Sequence, residues 1–364
     1  MKRVSLIIFF LCFHLYAFSQ EKACGTKDQI EPNFSQEAFD QFLINDNSLR
    51  SEPDILLPLS IHIIQHEFGF GGLNTTILYN AVDTMNAQYA FMDIEFFICG
   101  DIEYINDTEL WDFRDNEENQ LTPYLVPNTI NVFFVRTLES SSGDPLCGYA
   151  YFPWAGDLVM MQNGCTADGA TFAHELGHYL GLYHTHAFGE LVDRSNCSFA
   201  GDRCCDTPAD PYLGPNNVDF DCNYTGTETD ANGDFYMPMV SNLMSYAPSE
   251  CAYEFTEDQK SRVRYYATTS RDYLMCAAPA SLDENQLKEI TIYPNPASDH
   301  LTVQANELIE FITIYDISQK EVFHKQGKGS LNEHVSLQHL VNGVYTIHVS
   351  YESGGFSRSK FIKQ

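Results

Sequence analysis

The chain has 364 residues, and its 50 acidic and 20 basic side chains give a formal net charge of −30 at pH 7. A chain this acidic is not expected to bind nucleic acid or an anionic membrane, because both carry negative charge. Its length predicts about two or three folded units.

The N-terminal residues have the organisation of a secretory signal peptide. Two basic residues precede an apolar stretch over residues 4–17, which ends in Ala17-Phe18-Ser19. We predict a signal peptide over residues 1–19, cleavage after Ser19 and export of the protein. A membrane anchor is the alternative, but the stretch is shorter than the roughly 20 apolar residues that span a bilayer. No stable membrane insertion is therefore expected.

Residues 20–55 predict a short pro-segment, because they are polar, contain two prolines and show little periodicity. Cys24 lies near its start. The 11 cysteines include Cys12 of the signal peptide, so an even number remains in the exported protein, which favours disulfide bonds. This parity slightly favours a disulfide at Cys24 over a free thiol. The pairing itself does not follow from the sequence.

The next part of the chain alternates between strand and helix patterns. Its order of elements predicts a mixed α/β sheet packed with helices. The predicted strands are 58–65, 92–99, 129–135 and 158–162, and the predicted helices are 74–89 and 171–180.

The residues from His174 to His184 read H-E-x-x-H-x-x-G-x-x-H. Positions four apart share a helix face, so His174 and His178 can offer two imidazoles to one metal ion, with Glu175 beside it. A continued helix would carry His184 about 15 Å along the axis, and Gly181 permits the turn that returns it. Three histidines leave the fourth position of a catalytic zinc open, whereas a structural zinc usually has four protein ligands.

After the histidines the pattern becomes irregular over residues 187–241. A loop this long is usually functional or held by something other than a core, and disulfides and calcium are the candidates. Regular structure resumes where Thr256 and Gln259 predict a capping box for a helix over 257–273. Residues 276–290 predict a linker. Short alternating strands over 301–305, 311–317 and 344–351 then predict a small all-β sandwich at 291–364.

The extended histidine motif resembles that of the metzincin metallopeptidases, and its neighbours narrow the resemblance to the pappalysin-like (cytophagalysin) family. Three segments carry it: the rim strand at 148–153 (G-Y-A-Y-F-P), the loop at 205–208 (C-D-T-P) and the Met-turn at 242–246 (N-L-M-S-Y). The resemblance covers roughly residues 56–275. It implies the α+β fold class. The catalytic domain would be metzincin-like, with a mixed twisted sheet plus helices, a zinc helix and a Met-turn. His186 departs from the family, which usually has an aromatic residue there.

The resemblance also implies roles for individual residues. Glu175 would be the general base for a zinc-activated water, whose pKa the metal lowers to about 7. Tyr246 would stabilise the oxyanion, or alternatively be a packed aromatic residue. Met244 would form an apolar floor under the metal, since a thioether is a poor zinc ligand beside imidazoles. The substrate would pair antiparallel with the rim strand.

Two further sites remain open from the sequence. As an alternative to a disulfide, the thiolate of Cys24 would occupy the open zinc position and act as a zymogen switch. Asp202, Cys205 and Thr207 bring oxygen atoms together after the zinc motif, and such ligands suit Ca²⁺. The family resemblance supports calcium there, and an ordinary surface loop is the alternative. Residues 230–234 are a weaker calcium candidate.

Residues 291–364 resemble the C-terminal sorting domain of type IX secretion substrates. The similarity rests on 293–296 (Y-P-N-P), 314–316 (I-Y-D) and 343–345 (G-V-Y). It implies the secretion machinery as a partner and a location outside the cell or at its surface. An Ig-like binding or adhesion module is the alternative.

These features together predict a secreted zinc endopeptidase that acts on protein or peptide substrates. A secreted adhesin with a degenerate peptidase core is the alternative, and the intact Glu175 and histidines count against it. A zinc hydrolase of non-peptide substrates would fit the metal site but not the rim strand and Met-turn.

Overall fold

The computed structural model describes residues 24–45, 55–276, 290–315, 321–351 and 356–364. The predicted signal peptide, residues 20–23 and 46–54 of the predicted pro-segment and nearly all of the predicted linker lie outside these residues. The chain divides into two compact units. One contains the described parts of Met1–Phe97, with Glu103–Val126 and Ile130–Tyr273; the other contains Ile98–Ile102, Pro127–Thr129 and the described parts of Leu274–Gln364.

A mixed sheet frames the first unit. Eight strands lie in this part of the chain: β1 (Ile55–Gln65), β2 (Ile94–Ile98), β3 (Glu103–Asn106), β4 (Asp112–Arg114), β5 (Ile130–Val135), β6 (Thr137–Glu139), β7 (Gly148–Ala150) and β8 (Val159–Gln162). The main sheet has the order β2-β1-β5-β8-β7, with β3 paired to β1, while β4 and β6 form a separate pair. Strands β1, β5 and β8 are parallel, and β7 is an antiparallel edge strand. All six residues of β5 are buried, as expected for a central parallel strand.

Five α-helices accompany the sheet: α1 (Gln36–Asn45), α2 (Thr75–Tyr89), α3 (Thr108–Trp111), α4 (Ala170–Tyr179) and α5 (Glu257–Thr268). Helix α2 begins after Asn74, whose side chain accepts a hydrogen bond from the Thr76 amide. It packs on α4, where the Tyr89 hydroxyl donates to the Ala173 carbonyl at 2.9 Å. Every residue of α4 is buried. No helix in the described ranges has the length and apolar character needed to cross a membrane.

Two helices differ from the sequence-based expectation. Helix α1 lies within residues 20–55, whose weak periodicity did not indicate a helix. Its Phe39 and Phe42 pack against Tyr265 of α5, with ring centroids 5.3 and 5.6 Å from that of Tyr265. This stabilisation is tertiary, so the local pattern did not reveal it. Helix α5 has the predicted capping box of Thr256 and Gln259 but ends at Thr268 rather than at residue 273.

Between α4 and α5 the described chain contains only turns and isolated bridges, as predicted for 187–241. The disulfides Cys197–Cys205 and Cys222–Cys251 hold this region. Cys147–Cys165 joins the start of β7 to the segment after β8, and Cys99–Cys276 lies in the second unit.

The parity argument for a disulfide at Cys24 is wrong. Cys24 is a free, partly buried thiol, and Cys204 is a second free thiol that is fully buried. Because two cysteines rather than one are unpaired, the remaining eight still pair completely. Even parity therefore does not exclude a free thiol.

The second unit is all-β and β-sandwich-like. Its strands are β9 (Thr291–Tyr293), β10 (His300–Tyr315), β11 (Glu321–Ser336), β12 (Gly343–Tyr351) and β13 (Phe356–Lys363). They form an antiparallel sheet of order β11-β10-β12-β13, with β9 on β10. The two strands predicted at 301–305 and 311–317 are a single strand, β10, whose pairing with β11 shifts register between Gln304 and Phe311. The apolar core includes Leu301, Ile312, Ile347 and Phe361.

Candidate metal centre

Helix α4 and the turn that follows it bring three imidazoles together. The Nε2 atom of His178 lies 3.1 Å from Nε2 of His174 and 3.1 Å from Nε2 of His184. Nitrogens bound to one tetrahedral zinc at 2.0–2.1 Å are about 3.3–3.4 Å apart, so this spacing fits a shared metal ion. All three side chains are buried.

Each of these imidazoles is oriented through its other nitrogen. Nδ1 of His174 lies 2.7 Å from the Leu243 carbonyl, and Nδ1 of His178 lies 2.7 Å from the Leu182 carbonyl. Nδ1 of His184 lies 2.8 Å from the Asp28 carboxylate. A proton on Nδ1 satisfies these acceptors and leaves the Nε2 lone pairs directed at one another, as in metal sites. Burial, together with the nearby His184, lowers the pKa of His178 well below its ordinary value and favours the neutral form that a ligand needs.

Two glycines allow this arrangement. Gly181 has φ +89°, and a Cβ there would lie 2.2 Å from the Tyr266 ring, so glycine makes both the turn and the packing possible. A Cβ on Gly177 would lie 2.5 Å from Sδ of Met244. The turn at 242–246 therefore packs directly against α4, and its Leu243 supplies the carbonyl that orients His174.

Glu175 lies between the metal helix and the edge strand β7. Its side chain is fully buried, and its Oε2 atom lies 3.3 Å from the Thr26 hydroxyl and 3.6 Å from Sγ of Cys24. A Cβ on Gly148 would approach Cγ of Glu175 to 2.9 Å. Glycine at the start of β7 therefore lets the carboxylate reach the strand edge.

The segment that begins at Cys24 lies along β7. Cys24 forms a parallel bridge with Gly148, the Gly25 amide donates to the Gly148 carbonyl at 2.8 Å, and the Ala150 amide donates to the Thr26 hydroxyl at 2.9 Å. Sγ of Cys24 is 3.5 Å from Nε2 of His178 and falls within one cluster with the three histidines. Burial, and then the adjacent Glu175, raises the pKa of this thiol well above its ordinary value. The free cysteine thus reaches the point where the imidazoles converge.

Comparison with known proteins identifies the family. The family described as Pregnancy-associated plasma protein-A matches residues 130–267, and the Secretion system C-terminal sorting domain matches residues 291–364. An extracellular metalloprotease of Neurospora crassa is 30% identical over 216 residues, which cover 54% of this chain and 68% of that protein. Human Pappalysin-1 is 30% identical over 159 residues, covering 38% of this chain and 9% of that protein.

The chain belongs to the pappalysin family of metalloproteases.

Another relative covers more of the chain. An extracellular metalloprotease of Colletotrichum graminicola is 27% identical over 277 residues, covering 69% of this chain and 92% of that protein. Among solved structures, metalloproteinase-II from Bacteroides fragilis aligns with a TM-score of 0.33 and 11% identity over 63% of this chain and 60% of that chain, which is too low to argue from. This pappalysin-family protease is secreted and carries a type IX sorting domain at its C-terminus.

The protease places Tyr246 and His186 beside the third histidine. The Tyr246 ring lies 4.7 Å from that of His184, and its hydroxyl donates to the Cys24 carbonyl at 3.4 Å. Burial raises the pKa of Tyr246, so its hydroxyl keeps its proton. His186 stacks on His184 at 5.0 Å and contacts Tyr246 at 4.7 Å.

The three residues of the predicted calcium site lie in the disulfide-bonded loop. Asp202 is buried, accepts hydrogen bonds from the Cys204 amide and the Gln259 side chain, and has its pKa raised to about 7 by burial. The Thr207 hydroxyl is buried and contacts Thr256 Oγ1 at 3.3 Å, while Cys205 is in a disulfide. Glu190 belongs to no motif in the sequence. Burial also raises its pKa to about 7, and its Oε1 atom is buried without a hydrogen bond.

Three residues of the pro-segment were also missed. Thr26 contacts Glu175 and Ala150, Asp28 binds His184, and Glu31 approaches Arg262 of α5 at 3.6 Å. The Asp28 carboxylate accepts from both Nδ1 and the backbone amide of His184. The alternation of Cys24, Thr26 and Asp28 is a strand-like period of two, and this was the signal in the sequence that could have revealed them.

Proposed function

We propose that the protein is a zinc-dependent endopeptidase that is made in a latent form. The observation that carries this proposal is the convergence of three buried imidazoles near the edge strand β7, where Sγ of Cys24 contacts both His178 and the Glu175 carboxylate. An edge strand offers unpaired backbone groups to an extended peptide, which favours a peptide over another class of zinc-enzyme substrate.

The donor set fits zinc. Three neutral imidazoles oriented by Nδ1 hydrogen bonds, with one position left for another group, match a catalytic zinc site. A zinc ion bound there supplies Lewis acidity toward the scissile carbonyl and lowers the pKa of water to about 7. His174, His178 and His184 would hold it.

Glu175 would act as general base, taking a proton from the attacking water and returning it to the leaving amine. Its burial supports this role, because the interaction between a carboxylate and the proton it transfers is stronger where the surrounding dielectric is low. Tyr246 would donate a hydrogen bond from its hydroxyl to the oxyanion, since burial keeps the phenol protonated. Met244 would form the apolar floor beneath the metal.

Cys24 would keep the enzyme latent as the fourth metal ligand. Three observations support this role: its thiol is free, it clusters with the histidines, and the segment around it covers β7. The segment runs parallel to β7, whereas a substrate is expected to run antiparallel. The reversed direction would present the pro-segment in an orientation that the active site does not cleave.

Calcium would bind the loop after the third histidine, through Asp202, the Cys205 carbonyl and Thr207. Glu190 joins this group because Gly201 lets it approach closely: a Cβ on Gly201 would lie 2.2 Å from its Oε2 atom. Two carboxyl groups with raised pKa in one disulfide-bonded loop favour a bound cation, which would stabilise their charged forms. The alternative of a plain surface loop does not account for the burial of Asp202.

The domain boundaries we propose are a signal peptide at 1–19, a pro-segment at 20–55, the peptidase at 56–275, a linker at 276–290 and the sorting domain at 291–364. An adhesin with a degenerate core remains the rival function. It is disfavoured because the base and the three histidines are all present and brought together.

Replacing Glu175 by Gln tests the proposal. The purified active protein should contain one zinc, cleave members of a random peptide library and lose activity to a chelator. The Glu175→Gln variant should keep its zinc and lose roughly 100- to 10,000-fold in kcat/KM, because only the base is removed. Glu250→Gln, an exposed acid, is the matched control. Unchanged activity in Glu175→Gln, or a zinc-loaded wild type that cleaves no peptide, would contradict the assignment.

A further inference from the structure

A cavity of about 190 Å³ opens beside the edge strand β7. Tyr149 and Tyr151 form its wall on the strand side, and Asp115 and Glu118 line it from the 3₁₀ segment Asp115–Tyr124. Among the described residues, Lys27 of the pro-segment is the one cationic side chain that lines it. The cavity therefore combines acidic walls, two phenols and a lysine contributed by the inhibitory segment.

The acidic character comes from groups held in place. The Tyr151 hydroxyl donates to Glu118 at 2.7 Å, which fixes the carboxylate against the strand. The Tyr149 hydroxyl is buried near the same carboxylate without forming a hydrogen bond of normal geometry. Burial and the negative charge of Glu118 raise the pKa of both phenols, so both stay protonated and neutral. A cation with hydrogen-bond donors is the ligand that complements two carboxylates and neutral hydroxyls.

The position of the cavity along β7 relates it to the scissile bond. Cys24 lies opposite Gly148 at the histidine cluster, while the cavity lies farther along the rim, beside residues 149–152. A substrate antiparallel to β7 reaches these later residues before it reaches the metal. The cavity therefore faces the amino-terminal side of the bond to be cleaved.

We propose that this cavity is a substrate subsite for a lysine or arginine side chain at about the third residue before the scissile bond. In the latent chain Lys27, three residues after Cys24, lies at this site. The segment that carries it runs parallel to β7, in the direction opposite to that expected of a substrate. The inference rests on the proposed function. It assigns Asp115 and Glu118 to substrate selection, and they take no part in the chemical step.

The test uses the active protein recovered from culture medium and peptides that differ at one position. Lysine, norleucine or glutamate is placed at the second, third or fourth residue before the cleaved bond. Wild type should show kcat/KM about tenfold higher for lysine than for norleucine at one of these positions, the size of one charge-assisted hydrogen bond. The double variant Asp115→Asn, Glu118→Gln should lose this preference, so that its kcat/KM values for the lysine and norleucine peptides become similar.

Two further variants sharpen the result. Glu117→Gln removes a neighbouring charge whose carboxylate accepts from the Arg114 amide and faces a different cavity, so it should keep the lysine preference. Glu118→Lys should shift the preference toward glutamate. A wild type that cleaves the lysine and norleucine peptides alike, or a double variant that keeps the preference, would overturn the subsite. Failure to cleave any peptide would instead reject the proposed function, and the subsite with it.

Discussion

His184 differs from the other two histidines in the group that orients it. His174 and His178 are held by backbone carbonyls of the peptidase itself, whereas His184 is held by Asp28 of the pro-segment. Burial raises the pKa of Asp28, but the hydrogen bonds from His184, together with electrostatic interactions with the histidines, lower it by more. The net pKa is below its ordinary value, so this carboxylate is charged. At the scale of single residues, Cys24 and Asp28 thus both contact the histidine cluster.

Replacing Cys24 by Ala tests latency at this scale. We expect the unprocessed Cys24→Ala chain to cleave a small peptide at least tenfold faster than the unprocessed wild type, because a water can then enter the open metal position. Cys204→Ala, which removes the other free thiol, should leave the chain latent. Activity would be measured before any N-terminal cleavage, as verified by mass spectrometry. A silent Cys24→Ala chain whose processed form is active would show that the other pro-segment contacts suffice.

At the scale of elements, the turn after α4 combines a left-handed backbone conformation with close packing. Gly181 has φ +89° with the Tyr266 ring against it, while Gly143 has φ +90° and no atom within 4 Å of the place where a Cβ would lie. Substituting Gly143 by alanine therefore measures the cost of the left-handed conformation alone, whereas substituting Gly181 adds the cost of the clash with Tyr266.

We expect Gly143→Ala to lower the free energy of unfolding by about 1–2 kcal/mol, the cost of a left-handed alanine. Gly181→Ala should cost about 1–3 kcal/mol more, because the added methyl must displace a buried ring. Thermal unfolding of both variants measures the difference. Equal losses would mean that Tyr266 moves freely and that the turn is not held by packing.

The irregular loop between α4 and α5 is the second element whose stability can be tested. Asp202 and Glu190 have folded-state pKa values of about 7, above their ordinary values, so the folded chain binds protons more tightly than the unfolded chain. Without a cation, stability should therefore fall as the pH rises from about 4 to 7.

Calcium at about 100 times its dissociation constant should raise the thermal midpoint by roughly 5–10 °C at pH 8, and less at pH 5, where the carboxyl groups are protonated. Asp202→Asn should abolish this rise, whereas the exposed Asp221→Asn in the same loop should retain it. A midpoint that does not respond to calcium at either pH would leave the disulfides as the support of the loop.

At the scale of the whole molecule, the sorting domain and the peptidase have separate cores. The apolar cluster of the C-terminal unit is built from residues 297–361, and every residue of the metal centre lies in the other unit. Deleting residues 291–364 should therefore leave kcat/KM on small peptides unchanged while the protein accumulates in the periplasm of its native host. Cell fractionation with a peptidase assay measures both. Normal amounts of truncated protein in the medium would support an adhesion module in place of a sorting signal.

Local sequence determined much of this protein. The histidine spacing predicted one metal cluster because a helix repeats every 3.6 residues, and Gly181 marked the turn because glycine adopts positive φ at low cost. The capping box at Thr256 and the strand β5 followed from equally local rules. The strand-rich pattern after residue 291 indicated a separate β unit for the same reason.

Only the tertiary structure decided how distant segments meet. Cys24 reaches the histidine cluster because residues about 150 positions later in the chain fold back onto the segment around it. The even number of cysteines could not reveal that both Cys24 and Cys204 are unpaired. Helix α1 is stabilised by Tyr265 of α5, and the carboxylate that orients His184 comes from Asp28. Local pattern reports the interactions of neighbours in sequence, whereas these contacts depend on the energy of packing between segments far apart in the chain.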